Sequence, residues 1–250
     1  MNIKELLKED FLHSKYQNFL IAAICVAAIL IAFNQVQISS ISSSLASPGS
    51  ASKSSFASFF SKSADSDLSK VDVYSITSTA MAVASLFPEL KNIKNEQDAI
   101  SMMIPTGTPE YSSYLGGISF DDPVVSMEYL AKLYYSLKSE IKEKDSEVWQ
   151  RYLNLAAAPT GISCEFCCGI GPQGIDSKGE LRCGCQHNPA VQALTMGLMK
   201  DTDYSDAQIL KEVMKWKTLF FPQNMVGLAM EVAGTDPSQL KDLPGMVGGC

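Results

Sequence analysis

The sequence predicts a mainly α-helical protein with one N-terminal transmembrane helix, a serine-rich linker and a small helical extracytoplasmic domain carrying a Cys/His-rich loop site. Three observations predict it. An uncharged apolar run lies between Asn18 and Asn34, apolar residues recur at intervals of three and four beyond Asp122, and cysteines crowd the stretch from Cys164 to His187. The organisation that follows is a cytoplasmic tail over 1–17, an anchor over 18–38, a flexible linker over 39–66 and the helical cysteine-rich domain over 67–250.

The run FLIAAICVAAILIAF is apolar or small throughout, and Val36 and Ile38 extend it toward the ~20 residues that cross the hydrocarbon of a bilayer. Lys4, Lys8 and Lys15 precede it and no basic residue follows before Lys53. The positive-inside rule then puts the N-terminus in the cytoplasm and the rest of the chain outside, a single-pass arrangement at the cell membrane. A cleaved signal peptide is the rival, since Ser44 and Ala46 form a small-x-small pattern. Glu5, Glu9 and Asp10 in the leading segment, and a candidate cleavage site far beyond the apolar core, favour the retained anchor. Cys25 within the run reads as a buried hydrophobe.

From Ser39 to Ser66 half the positions are serine, a composition that buries too little apolar surface to offset chain entropy and so makes a spacer. After Asp67, Val71, Val73 and Ile76 suggest a strand, and the Ala/Met/Leu stretch before Pro88 suggests a helix. MMIPTGTPEYSSYLGGISFDDP is dense in turn residues and reads as a structured loop packed down by Tyr111, Tyr114 and Phe120. Asp122 then caps a helix with Pro123 at its first position. Met127, Leu130, Tyr134, Leu137 and Ile141 form its core-facing stripe. Val148, Trp149, Tyr152 and Leu153 mark a second helix, ended by Pro159 and Gly161. Asn188 and Pro189 open a third. Ser205 with Gln208 forms a capping box for a fourth, with Tyr204 and Ile209 at staple positions and the stripe Ile209, Val213, Trp216, Phe220 running to Pro222.

The chemistry sits in SCEFCCGIGPQGIDSKGELRCGCQHNP. Cys164 and Cys167 are a C-x2-C pair, Cys168 adds a thiol, Cys183 and Cys185 are a C-x-C pair, and His187 follows. A C-x2-C turn brings two sulfurs to one ion, and a second pair about fifteen residues on completes a tetrahedral site, as in zinc ribbons. Cys164, Cys167, Cys183 and Cys185 are the first-choice ligands, with His187 or Cys168 as replacement or addition. Soft thiolates with one imidazole suit zinc best, then copper(I) or an iron-sulfur centre, and suit magnesium or calcium poorly.

Outside a membrane, thiols persist mainly as disulfides or under a metal. Two other readings therefore stand beside metal binding. One is a thiol-disulfide oxidoreductase using the same cysteines. The other is an interaction module stapled by disulfides or zinc, in which the loop from Pro105 to Pro123 meets a protein partner. Cys250, on a Gly-Gly arm, is either an added thiol of the cluster or an intermolecular one. Met196, Met199, Met214, Met225 and Met230 read as core filler rather than copper ligands. Asp121 and Asp122 read as capping residues rather than an acid-base pair.

Other classes are poorly supported. A net charge of −7 with no basic cluster argues against a nucleic-acid partner. His13 is the only other histidine and lies across the predicted membrane, which disfavours Ser-His-Asp and multi-histidine sites. No Walker phosphate-loop motif occurs.

CEFCCG, RCGCQHNPAVQAL and YSDAQILKEVMKWKTLFFP, with MIPTGTPEY and SFDDPV, resemble a group of uncharacterised archaeal membrane-anchored cysteine-rich proteins. A looser similarity links the chain to lipoproteins with a PCYCGC motif, which it lacks. The resemblance implies that Cys164, Cys167, Cys168, Cys183, Cys185 and His187 act as one unit, and it carries no activity.

Overall fold

The computed structural model describes residues 68–240 and 243–249. The anchor expected over 18–38, the linker over 39–66 and Cys250 lie outside the described residues. Among the described residues no helix is long and apolar enough to cross a membrane. The helical class expected of the domain is what the structure shows. Among the described residues there are eight α-helices, several 3-10 turns and two isolated β-bridges.

The strand suggested by Val71, Val73 and Ile76 is absent. Two 3-10 turns, Leu68–Lys70 and Val73–Ser75, take its place. The Asp72 carboxylate accepts from the Tyr74 backbone N–H at 3.0 Å and curls the chain. Val73 and Ile76, three apart, are then the buried pair, a spacing that fits a 3-10 turn and not the two-residue alternation of a strand. Helix α1 (Thr79–Leu86) follows, capped by Ser78. Helix α2 (Glu96–Met103), capped by Asn95, was not singled out by its sparse apolar pattern. The Pro/Gly-rich segment after it holds a 3-10 turn, Glu110–Leu115. Tyr111 and Phe120 pack it down as expected, whereas Tyr114 points to solvent.

Helix α3 (Pro123–Lys144) starts where its sequence places it, with the Asp122 side chain accepting from Val125 N–H, and all five stripe residues are buried. Asp145 ends α3 and caps α4 (Ser146–Ala156). A single turn, α5 (Glu165–Cys168), stands alone in the cysteine loop. Helix α6 (His187–Asp201) opens one position before Asn188 and without a side-chain cap. Asn188 is therefore not its N-cap. Its amide donates to the carbonyls of Gly174 and Cys183 instead. Pro189 is accommodated in the first turn, where its missing N–H breaks no helical bond. The capping box of α7 (Asp206–Phe220) is present in both directions. Pro222 both ends α7 and begins α8 (Pro222–Val232), an element the reading of Pro222 as a terminator passed over.

Helix α6 is the axis of the domain. Every residue from His187 to Met199 is buried, the signature of a helix surrounded on all sides. Helix α3 runs along it, α4 and α7 flank it, and α8 joins α7 to α1 and α2. Trp216 anchors the core on α7. Its indole N–H donates to the Tyr111 hydroxyl at 2.9 Å, and that hydroxyl donates to Glu212. Arg151 on α4 pairs with Asp206 at the start of α7 at 2.7 Å. These contacts leave one end of α6, the end that begins at His187, facing the cysteine loop.

Candidate metal centre

The loop between α4 and α6 carries the cysteines, and its fold is set by buried polar groups on α6. Asn188 binds the Gly174 carbonyl at 2.8 Å and the Cys183 carbonyl at 3.2 Å. Gln192, one turn on, donates to the Ile162 carbonyl at 2.9 Å and accepts from the Tyr152 hydroxyl at 3.0 Å. Gly174 fits because it lacks a side chain. A Cβ there would run into Gln192, Asn188 and the Ile162 carbonyl. Ile162 pairs with Gln173, and Ile175 with Leu181, closing the loop on itself. Asp176 accepts from the N–H groups of Lys178 and Glu180 and forms its tip.

The first cysteines are placed by α5. Cys164 is its N-cap residue, and the N–H groups of Cys167 and Cys168 both point to the Cys164 carbonyl. Gly169 closes the turn with φ +64°, in the left-handed region that an L side chain enters only at a cost. Cys183 and Cys185 approach from the other arm of the loop. The structure gathers the sulfurs of Cys164, Cys168, Cys183 and Cys185 so that all lie within 4.8 Å of one another. A second group, Cys167, Cys185 and a ring nitrogen of His187, meets the same limit. Every cysteine singled out from the loop sequence therefore falls into one of two overlapping sets, and Cys185 belongs to both.

The two sets differ from the first choice in one respect. The fourfold group takes Cys168 where C-x2-C spacing favours Cys167. Cys168 lies with Cys164, Cys183 and Cys185, and Cys167 with Cys185 and His187. Cys164 and Cys185 are buried free thiols. Cys168, exposed, is joined to Cys183 in a disulfide, and Cys167 is also disulfide-bonded.

Burial and mutual contact split the two free thiols. Cys185 is pushed well below the usual thiol range, chiefly by the hydrogen bond from Cys164, against the effect of burial, with help from the Asn188 backbone N–H. Cys164 is pushed up by the same contact and by burial. A thiolate at Cys185 would lie at the N-terminus of α6, where helix N–H groups favour an anion.

His187 is fully buried, stacked against Phe220 and Phe221. Its Nε2 lies 2.9 Å from the Val247 carbonyl oxygen. A carbonyl only accepts, so Nε2 holds the ring proton and Nδ1 presents a lone pair. Nδ1 is buried and has no hydrogen-bond partner. A histidine held through one nitrogen by a backbone carbonyl, with the other left bare, is the arrangement of a metal ligand.

Lys217 was missed. It is completely buried on α7, and its Nζ donates to Glu165 at 2.7 Å, the Gly161 carbonyl at 2.8 Å and Thr79 at 3.0 Å, below the Phe166 ring. Thr79 in turn donates to Glu165. Burial pushes the Lys217 ammonium down, and Glu165 opposes that shift. The signal was present in the spacing: Leu210, Met214, Lys217 and Phe221 recur on one helical row, and a lysine in an apolar row requires a buried partner. Lys217 ties α5 to α7 through Glu165.

No family model matches the chain, and no curated protein or solved structure is similar to it.

Proposed function

We propose that the chain is a membrane-tethered, extracytoplasmic metal-binding protein that holds zinc through Cys164, Cys168, Cys183 and Cys185 in the reduced state. The convergence of these four sulfurs within 4.8 Å carries the reading. Tetrahedral zinc with bonds of about 2.3 Å to sulfur requires sulfurs roughly 3.8 Å apart, so the set closes on an ion with small side-chain movements. Zinc fits better than a hard cation because the donors are soft, and copper(I) and iron-sulfur centres share that preference. The bare Nδ1 of His187 supports the same chemistry. The apolar run over 18–38 and the lysines before it support the tether and the outward orientation, and the resemblance to archaeal membrane-anchored proteins agrees with both.

The test is metal content. The full chain, purified in detergent without oxygen and reduced with a phosphine, is offered zinc and washed free of excess, and zinc is counted by mass spectrometry. Stoichiometric zinc that Cys164→Ser and Cys183→Ser abolish is the expected result. A reduced, folded chain that retains no zinc overturns the reading.

The Cys168–Cys183 disulfide supports a second reading, a thiol-disulfide oxidoreductase. The Cys185 thiolate attacks one sulfur of that disulfide, a new S–S bond forms, and the displaced cysteine leaves as a thiolate, with no net change in electrons. Catalysed reduction of a small disulfide substrate by the pre-reduced chain, lost in Cys185→Ser, is its mark. Metal and disulfide exclude each other because both claim Cys168 and Cys183.

A further inference from the structure

We infer that the reduced site holds two thiophilic divalent ions, with the Cys185 sulfur bridging them and His187 ligating the second. This deepens the metal-binding reading and rests on it. All donors to one ion lie within two bond lengths of each other, about 4.6 Å for zinc-sulfur bonds. The structure sorts the candidate ligands into two groups whose donor atoms lie within 4.8 Å of one another, close to that limit: Cys164 with Cys168, Cys183 and Cys185, and Cys167 with Cys185 and His187. A single ion serves one group or the other. Two ions serve both, and their common member, Cys185, lies where a bridging thiolate has to be.

The second group is marked by more than its cysteines. His187 is fully buried, its Nδ1 lacks any partner, and its proton is held on Nε2 by Val247. A buried nitrogen lone pair left unsatisfied costs free energy, and an ion between it and the sulfurs of Cys167 and Cys185 removes that cost. Charge favours the same arrangement. Once reduced, the five cysteines of the loop are five thiolates when all ligate. One divalent ion on the fourfold set holds four thiolates and leaves two negative charges uncompensated in a half-buried site, and two ions holding five thiolates leave one. Lys217 does not make up the difference, because Glu165 already pairs with it.

Three protein donors leave one position of the second ion open, unlike the closed fourfold site, which is the pattern that separates reactive from structural zinc. The second ion is therefore the exchangeable one, able to take a small thiol or imidazole as its fourth ligand. Occupancy requires Cys167, Cys168 and Cys183 as thiols. A phosphine supplies two electrons to each disulfide and is oxidised to the phosphine oxide, and each thiol then gives up its proton to solvent as the ion binds.

The experiment is a cobalt(II) and zinc titration of the reduced full chain in detergent, followed by visible absorption and electron paramagnetic resonance. Two equivalents are expected, the first with the intense charge-transfer bands of a tetrathiolate site. The second should diminish the resonance of the first through spin coupling across a shared sulfur. His187→Ala should bind one equivalent with the tetrathiolate spectrum intact, and Cys167→Ser should do the same. The coupling is read on the wild-type chain, so it does not depend on a variant folding. One equivalent only in the wild type, or two equivalents without coupling, overturns the two-ion arrangement and leaves the fourfold site standing. No bound metal at all overturns the reading beneath it.

Discussion

His187 Nε2 donates to the carbonyl of Val247 at 2.9 Å, across 60 positions of sequence. The C-terminal segment thereby fixes a ring at the first position of α6, and Val247 N–H holds the segment down through the Phe220 carbonyl. Ending the chain at Gly245 strands the buried Nε2 proton. The expected loss is about 1–3 kcal/mol of stability, measured by urea unfolding in a phosphine reductant. Cys250→Ser under the same conditions controls for the terminal thiol.

Asn188 holds both arms of the cysteine loop through the carbonyls of Gly174 and Cys183. Asn188→Ala removes this link between the two arms, leaving Gly174 with the Arg182 N–H alone. Zinc affinity is expected to fall roughly 10- to 100-fold, as when outer hydrogen bonds to other metal sites are removed. Competition with a chromophoric chelator measures it. An unchanged affinity would show that the loop holds its shape without α6.

The Lys217–Glu165 pair is nearly dry, with Lys217 fully buried and Glu165 at 16% side-chain exposure. Glu165→Gln leaves a buried ammonium without its counter-charge and should cost about 3 kcal/mol. Lys217→Met with Glu165→Gln should be milder than Glu165→Gln alone, because the buried charge goes with its partner. Thermal unfolding of the two single variants and the double reads the coupling directly.

With the Cys168–Cys183 disulfide formed, Cys185 is acidified, mainly by the Cys164 hydrogen bond. A depressed folded pKa stabilises the native state above the ordinary thiol pKa, and that contribution is lost as pH falls through the depressed value. Thiolate absorbance should therefore persist well below the ordinary thiol range and vanish toward acid pH together with part of the stability. Cys164→Ala removes the largest cause and should move the titration back up.

The helices were legible where local chemistry and burial agree. Asp122 with Pro123, and Ser205 with Gln208, declare helix starts because their capping bonds are made within one turn. The stripe of α3 was legible because that helix shows the core one face, and the stripe of α7 because its first turns do, although α7 is buried all round from Trp216 to Phe220. Val73 and Ile76 misled because a short apolar run carries no period of its own, and the deciding group was the neighbouring Asp72 carboxylate. Asn188 misled because an Asn before Pro at a helix start caps by default, and only the fold shows carbonyls waiting for its amide. The cluster was legible as a set of residues, since sulfur-rich turns are compact. Its division was not. Whether Cys167 or Cys168 joins Cys164 depends on the helical turn of α5, and Lys217 depends on a partner 52 positions away.

A helix enclosed on every side, as α6 is from His187 to Met199, gives the site a floor that does not yield. To enlarge the nest of sulfurs, the loop has to move against Asn188 and Gln192, which are locked into a close-packed interior. Ions are then ranked by radius as well as by softness. Any ion taken up by the loop would then meet the tightness of packing at the middle of the domain, and the larger its radius the more that packing would resist it.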